Sequence, residues 1–294
     1  MIARINRYVR GSYPPALYLP YAVLWSLGMT AAFALGDPRI PLWRPDFSTF
    51  RTVLTCCVVL LMVRAVDDLR DLEYDRVYNS GRPLPGGAVR VSDLVTVIAV
   101  CAGVALVCNV GRGGVEVALA VQLGYTVLIL VVDRVAHWPS GDNLLLSGIV
   151  SFPVQVLLNL YLYAGVVHQA GLGPSWHAML PMLVAVSAFA HLEYARKLTR
   201  TPAVGERSYV TALGPSRTGI VAVTAAVVAV VLGLVLTAAM SWGRLVLIPV
   251  VFLGYGAYRF WLVRATRWPP LAAVLFPLTG FLTYLVVGLI GRQS

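Results

Sequence analysis

Charge is what this sequence has least of. Only 12 % of its 294 residues are Asp, Glu, Lys or Arg, where soluble domains carry about 25 %. A soluble globule of this length could not cover its surface with so few charges, so a soluble enzyme and a disordered chain are excluded. Lysine is nearly missing, since the 23 basic residues are 22 Arg and the single Lys197. Acids are scarcer, at 13 in the whole chain. The four cysteines, Cys56, Cys57, Cys101 and Cys108, sit inside apolar runs without metal-ligand spacing. They read as small buried hydrophobes, which excludes a disulfide framework. No heptad, low-complexity tract or internal repeat stands out.

What is there is apolar. Hydrophobic residues make up 59 %, against roughly 45–50 % in soluble proteins. A bilayer-crossing helix takes about 20 such residues, and nine segments meet or approach that length, near 16–36, 50–72, 93–111, 115–135, 143–167, 175–197, 218–240, 244–263 and 269–291. The expected fold is all-α, a polytopic membrane protein of nine transmembrane helices in one bundle, with residues 1–294 forming a single helical domain. Two connections are long, about 73–92 and 198–217, and both are rich in Gly, Pro and Arg. The first fifteen residues, with Arg4, Arg7 and Arg10, resemble a charged leader, but the run from Ala16 to Leu35 is long enough to span and reads as a retained first helix.

The net charge of +10 is spread unevenly along the chain. With a cytoplasmic N-terminus, 17 basic residues fall inside and 6 outside, the bias that orients membrane proteins. Both long loops then cap the cytoplasmic side. The arginines suit anionic lipid headgroups rather than nucleic acid, and the expected location is the plasma membrane of a bacterium.

Five of the thirteen acids lie within nine positions: Asp67, Asp68, Asp71, Glu73 and Asp75. Read as the end of the second helix, Asp67, Asp71 and Asp75 at i, i+4 and i+8 stack on one face, with Asp68 to the side. Like charges at that spacing repel. A divalent cation would remove the repulsion, and Mg²⁺ prefers carboxylate oxygens plus phosphate oxygens of a substrate. The plainer reading is a solvated helix end whose acids pair with Arg64, Arg70 and Arg76. Ionisable residues at membrane depth favour function.

The run Asp67-Asp68-Leu69-Arg70-Asp71-Leu72-Glu73-Tyr74-Asp75, followed by Ser80-Gly81-Arg82-Pro83-Leu84-Pro85-Gly86-Gly87, resembles the first aspartate-rich motif of the UbiA superfamily of intramembrane prenyltransferases. In that family the pattern is Asn/Asp-Asp-x-x-Asp-x-x-x-Asp with an Arg-Pro-Leu-Pro run soon after, and a second aspartate-rich motif closes the sixth helix. The matching place here departs from the pattern. It reads His191-Leu192-Glu193-Tyr194-Ala195-Arg196-Lys197, then Gly205-Glu206-Arg207-Ser208-Tyr209, one acid and two bases in place of paired aspartates. Either Glu193 keeps a metal-ligand role while Arg196 and Lys197 contact diphosphate oxygens directly, or Glu193 and Lys197, at i and i+4, form a structural ion pair.

The resemblance implies an Mg²⁺-dependent enzyme that ionises an isoprenyl diphosphate and transfers the prenyl group to an aromatic or lipophilic acceptor. It assigns metal binding and catalysis to Asp68, Asp71, Asp75 and Glu193. It assigns substrate contacts to Asp67, Arg70, Arg76, Arg82, Arg196, Lys197, Asn159 and Tyr209, with Arg82 on the capping loop foremost. An alternative is a terpene cyclase of the same kind, working without an acceptor. An ion transporter would spread its acids over several helices at mid-bilayer, whereas these gather at one helix end. Gln155 and Asn159 line one face of the fifth run, where they either border a cavity or bond a neighbouring helix. Asp133 and Arg134 either reach the acidic helix end or pair with each other. His191 is a minor candidate base.

Overall fold

The computed structural model describes residues 1–40, 42–139 and 143–290, and its regular elements are all helices. Part of the expected break at His137 to Asp142, the last residue of the ninth run and Arg292 lie outside these. The helices are α1 (Ile2–Ser12), α2 (Pro15–Gly36), α3 (Phe47–Arg70), α4 (Leu72–Tyr78), α5 (Val91–Val107), α6 (Gly114–Ala136), α7 (Leu144–Ser151), α8 (Pro153–Gln169), α9 (Met179–Arg196), α10 (Tyr209–Leu236), α11 (Val250–Ala257) and α12 (Pro270–Ile290).

The apolar runs become helices nearly where expected. Among the described residues, eight spans are long and apolar enough to cross a membrane, and α5 is a shorter apolar helix of 17 residues. It stops at Val107 rather than 111 because the chain turns through Gly111 and Gly113, both at positive φ. The fifth run is split at Phe152 into α7 and α8, since Pro153 has no N–H to continue the ladder. The seventh run starts early, at Tyr209, and kinks at Gly214 (φ 76°) before Pro215. The eighth is broken into a 3₁₀ segment, α11 and a π-helical turn, Tyr258–Leu262. Starts are capped: Asp46 accepts from the Thr49 amide at 2.8 Å while its own amide donates to Thr49 Oγ1, and Ser208 accepts from Val210. The leader-like first residues fold as α1, whose inner face holds Tyr8 and Ser12 and whose outer face holds Arg7 and Arg10.

The helices group into two compact units. The first comprises residues 1–23 and 46–164. Here α3 packs on α5 and α6, and α1 lies on α5. Its core includes Val59, Met62, Val66, Leu94, Leu119 and Tyr161. The second comprises residues 24–45 and 165–294. Its centre is the α9–α10 pair, where Ala188, Ala195, Ala222, Ala226 and Ala229 let the backbones approach and Trp268 and Phe276 fill the space beside them. An isolated β-bridge between Thr199 and Arg267 ties the end of α9 to the segment before α12.

Candidate functional site

The acidic run lies where α3 ends and α4 begins. Asp71 leaves helical geometry (φ −83°, ψ 4°), although the amides of Asp71 and Asp75 still reach the carbonyls of Asp67 and Asp71. The break changes which acids point inward. Asp68 and Asp75 are buried, Asp67 and Asp71 are half-buried, and Glu73 is exposed. The inward pair is thus Asp68 and Asp75, two turns apart, rather than the stack of Asp67, Asp71 and Asp75 expected from one unbroken helix.

Arg82 serves both buried acids. Its Nη1 stands 2.6 Å from Asp75 and 3.9 Å from Asp68. The loop that carries it is a tight turn in which Gly86 donates to the Arg82 carbonyl. A Cβ at Gly86 would fall 2.8 Å from the Ser80 oxygen, and Gly87 takes φ 73°, so the Pro-Gly-Gly end of the motif is required by backbone geometry. Asn79 donates the second hydrogen bond to Asp75 at 2.7 Å. Arg64 pairs with Asp68 at 2.8 Å.

A second row of charges closes the side of this helix end. Arg70 donates to Ser151 at 3.0 Å and lies 3.9 Å from Asp133, while Arg134 donates to the Leu69 carbonyl. Asp133 and Arg134 therefore both reach the end of α3 instead of pairing with each other. Arg76 is spent on Glu73, both exposed. The plainer reading of the acids thus holds for Glu73, while Asp68 and Asp75 are drawn into a buried network. Asn159 is buried and donates to the Gln155 carbonyl of its own helix.

In the second unit Glu193 is enclosed by donors. Arg196 pairs with it, Lys197 lies 2.6 Å away, and Tyr209 donates to it at 3.1 Å. The Tyr209 ring stacks near Tyr194, with centroids 4.4 Å apart, and faces the Lys197 ammonium at 5.1 Å. One carboxylate against two cations leaves this cluster positive. His191 is turned into the apolar core against Phe276, where its Nδ1 donates to the Ala222 carbonyl at 2.9 Å.

Among the described residues no three His, Cys, Asp or Glu side chains come together as a metal cage. Mg²⁺ needs less than that, one or two carboxylates completed by phosphate oxygens and water. Asp68 fits: it is 3 % exposed and neither oxygen is taken by a hydrogen bond of good geometry. The oxygens of Asp75 are taken by Arg82 and Asn79, and Glu193 is saturated by its own neighbours. Tyr8, Ser12 and Ser151 were not legible as neighbours of the site, because each comes from a segment distant along the chain.

The sequence matches no family model and no curated protein. Solved structures do match over nearly the whole chain. A UbiA homologue from Aeropyrum pernix K1, in its apo form, superposes with a TM-score of 0.65 at 14 % identity, covering 91 % of this chain and 96 % of that one. A UbiA homologue from Archaeoglobus fulgidus bound to GPP and Mg²⁺ gives 0.63 at 14 % identity, covering 97 % and 99 %. A digeranylgeranylglyceryl phosphate synthase gives 0.60 at 13 % identity, covering 98 % and 99 %. The helical fold of this chain is that of the UbiA homologues, as the motif at Asp67–Gly87 implied.

Proposed function

We propose that this chain is an intramembrane prenyltransferase that ionises an isoprenyl diphosphate at the end of α3 and passes the prenyl group to an aromatic or lipophilic acceptor. The observation that carries it is the buried Asp68–Asp75 pair with Arg82 between them, at the end of an apolar helix, in a fold whose solved examples include one bound to GPP and Mg²⁺. Asp68 is assigned as a metal ligand, with Asp71 and Asp75 completing the set as the diphosphate supplies oxygens. When bound, Mg²⁺ would offset the charge that develops on the departing diphosphate.

The residues divide that work. Arg82 holds Asp75 in the free protein and is partly exposed, so it is placed to exchange the carboxylate for a phosphate oxygen and stabilise the leaving group. Asp67 and Arg70 shape the same helix end, and Arg76 is a more distant counter-charge at its rim. Breaking the C–O bond leaves an allylic cation on the prenyl chain, which apolar helices keep from water until the acceptor attacks. Within the second unit taken by itself, Lys197 and Arg196 are cations suited to a phosphate group, and Glu193, with Tyr209, holds them in place. Glu193 is held by two cations and a phenol, so a metal-ligand role there would require it to exchange partners, as Asp75 would exchange Arg82. The arginines flanking the acidic helix end support a cytoplasmic opening in a plasma membrane.

The test is purified protein in detergent with Mg²⁺ and farnesyl or geranylgeranyl diphosphate, with and without an aromatic or lipid acceptor, following diphosphate release and extractable products. Acceptor-dependent release is expected, falling about 100-fold or more in Asp68→Asn. Cyclic hydrocarbon formed without acceptor would make the chain a terpene cyclase. No release under either condition would overturn the reading.

A further inference from the structure

Two buried polar groups beside the acidic helix end make no hydrogen bond of good geometry among the described residues. One is the Tyr8 hydroxyl, on a side chain that is fully buried. The other is the Asp68 carboxylate, whose Arg64 neighbour at 2.8 Å is an ion pair without hydrogen-bond alignment. They are neighbours, because α1 lays Tyr8 and Ser12 against Asp68. A phenol can donate and a carboxylate can only accept, so the two are chemically matched.

The position of α1 is not casual. Arg4 grips Asp93 at the start of α5 through two nitrogens, at 2.7 and 2.9 Å. Gly11 rests on Pro83 of the Arg82 loop so closely that a Cβ would fall 2.6 Å from the proline ring. Tyr13 donates to the Cys57 carbonyl of α3 at 3.2 Å. Three anchors, on α5, the loop and α3, hold Tyr8 over Asp68.

We infer that Tyr8 is a positioning residue for Asp68: its hydroxyl donates to one carboxylate oxygen and so leaves the other turned toward a divalent cation. This rests on the assignment of Asp68 as a metal ligand. Groups that orient a ligand in this way are worth about 10–100-fold in metal affinity. Tyr8→Phe removes one oxygen and keeps the packed ring, so it separates orientation from packing.

The experiment is Mn²⁺ binding to the purified full chain, without any diphosphate, by the electron paramagnetic resonance signal of free Mn²⁺. Wild type, Tyr8→Phe and Asp68→Asn are compared, with thermal unfolding of each as the folding control. Asp68→Asn is expected to abolish the site and Tyr8→Phe to weaken it about tenfold or more. Loss in Asp68→Asn with wild-type affinity in Tyr8→Phe would overturn the inference and leave the Asp68 assignment standing. Wild-type affinity in Asp68→Asn would overturn both. If Tyr8→Phe fails to fold, Arg4→Ala loosens α1 while keeping Tyr8 and Asp68. Weakened Mn²⁺ binding is expected there too, and unchanged binding would overturn the inference.

Discussion

At the scale of single residues, the clearest case is Arg112, which is 2 % exposed yet has no carboxylate on its side chain among the described residues. Its guanidinium donates to Asn109 Oδ1 at 2.6 Å, Ser48 Oγ at 2.7 Å and Thr52 Oγ1 at 3.2 Å, while Tyr161 donates to the same Asn109 oxygen. Neutral acceptors from α3 and the α5–α6 turn thus share one charge, and Tyr161 of α8 braces the Asn109 oxygen. Arg112→Ala would strand these oxygens at about 1–3 kcal/mol each, and the midpoint of thermal unfolding in detergent is expected to fall by about 5 °C or more. Arg112→Lys should recover only part, because a point ammonium does not span the fork. In the sequence this arginine is one more loop charge. The same limit applies to the acids: the string marks Asp67 to Asp75 as unusual, but the inward choice of Asp68 and Asp75 depends on Arg82 and Asn79 meeting them.

At the scale of elements, the helices follow from apolar length and their breaks from proline and glycine, so most boundaries could be read directly. The exception is α1. Its inner face of Ile5, Tyr8, Val9 and Ser12 is narrow, and three arginines give the stretch the composition of a leader. How closely helices approach is also hidden, since it depends on which glycine meets which backbone. A Cβ at Gly28 of α2 would sit 2.4 Å from the Phe281 oxygen of α12, whereas one at Gly103 of α5 would meet nothing within 4 Å. Gly28→Ala is therefore expected to destabilise by about 1–3 kcal/mol. Gly103→Ala, in an exposed helix interior, is expected to be neutral or stabilising by about 0.5–1 kcal/mol. Parallel thermal melts of the two variants check the pair, and equal losses would show that close packing at Gly28 is not what matters.

At the scale of the whole molecule, the distribution of arginine makes a topological prediction. With the four native cysteines replaced, Ser80→Cys and Thr201→Cys are expected to resist a membrane-impermeant maleimide in intact cells and to react once the membrane is opened. Ser241→Cys is expected to react in intact cells; the reverse pattern would invert the orientation. Composition, apolar run length and charge bias are properties of the chain summed along its length, and the sequence alone therefore determined a helical membrane protein with a run of carboxylates at one helix end. Long-range partners are another matter, because burial and ion pairing depend on segments that are distant along the chain. Only the tertiary structure decided that Asp68 and Asp75 turn inward, that Tyr209 joins Lys197 and Arg196 on Glu193, and that α1 brings Tyr8 onto the acidic end. In each case a side chain acquires its role from a neighbour 7 to 60 positions away, which no local pattern records.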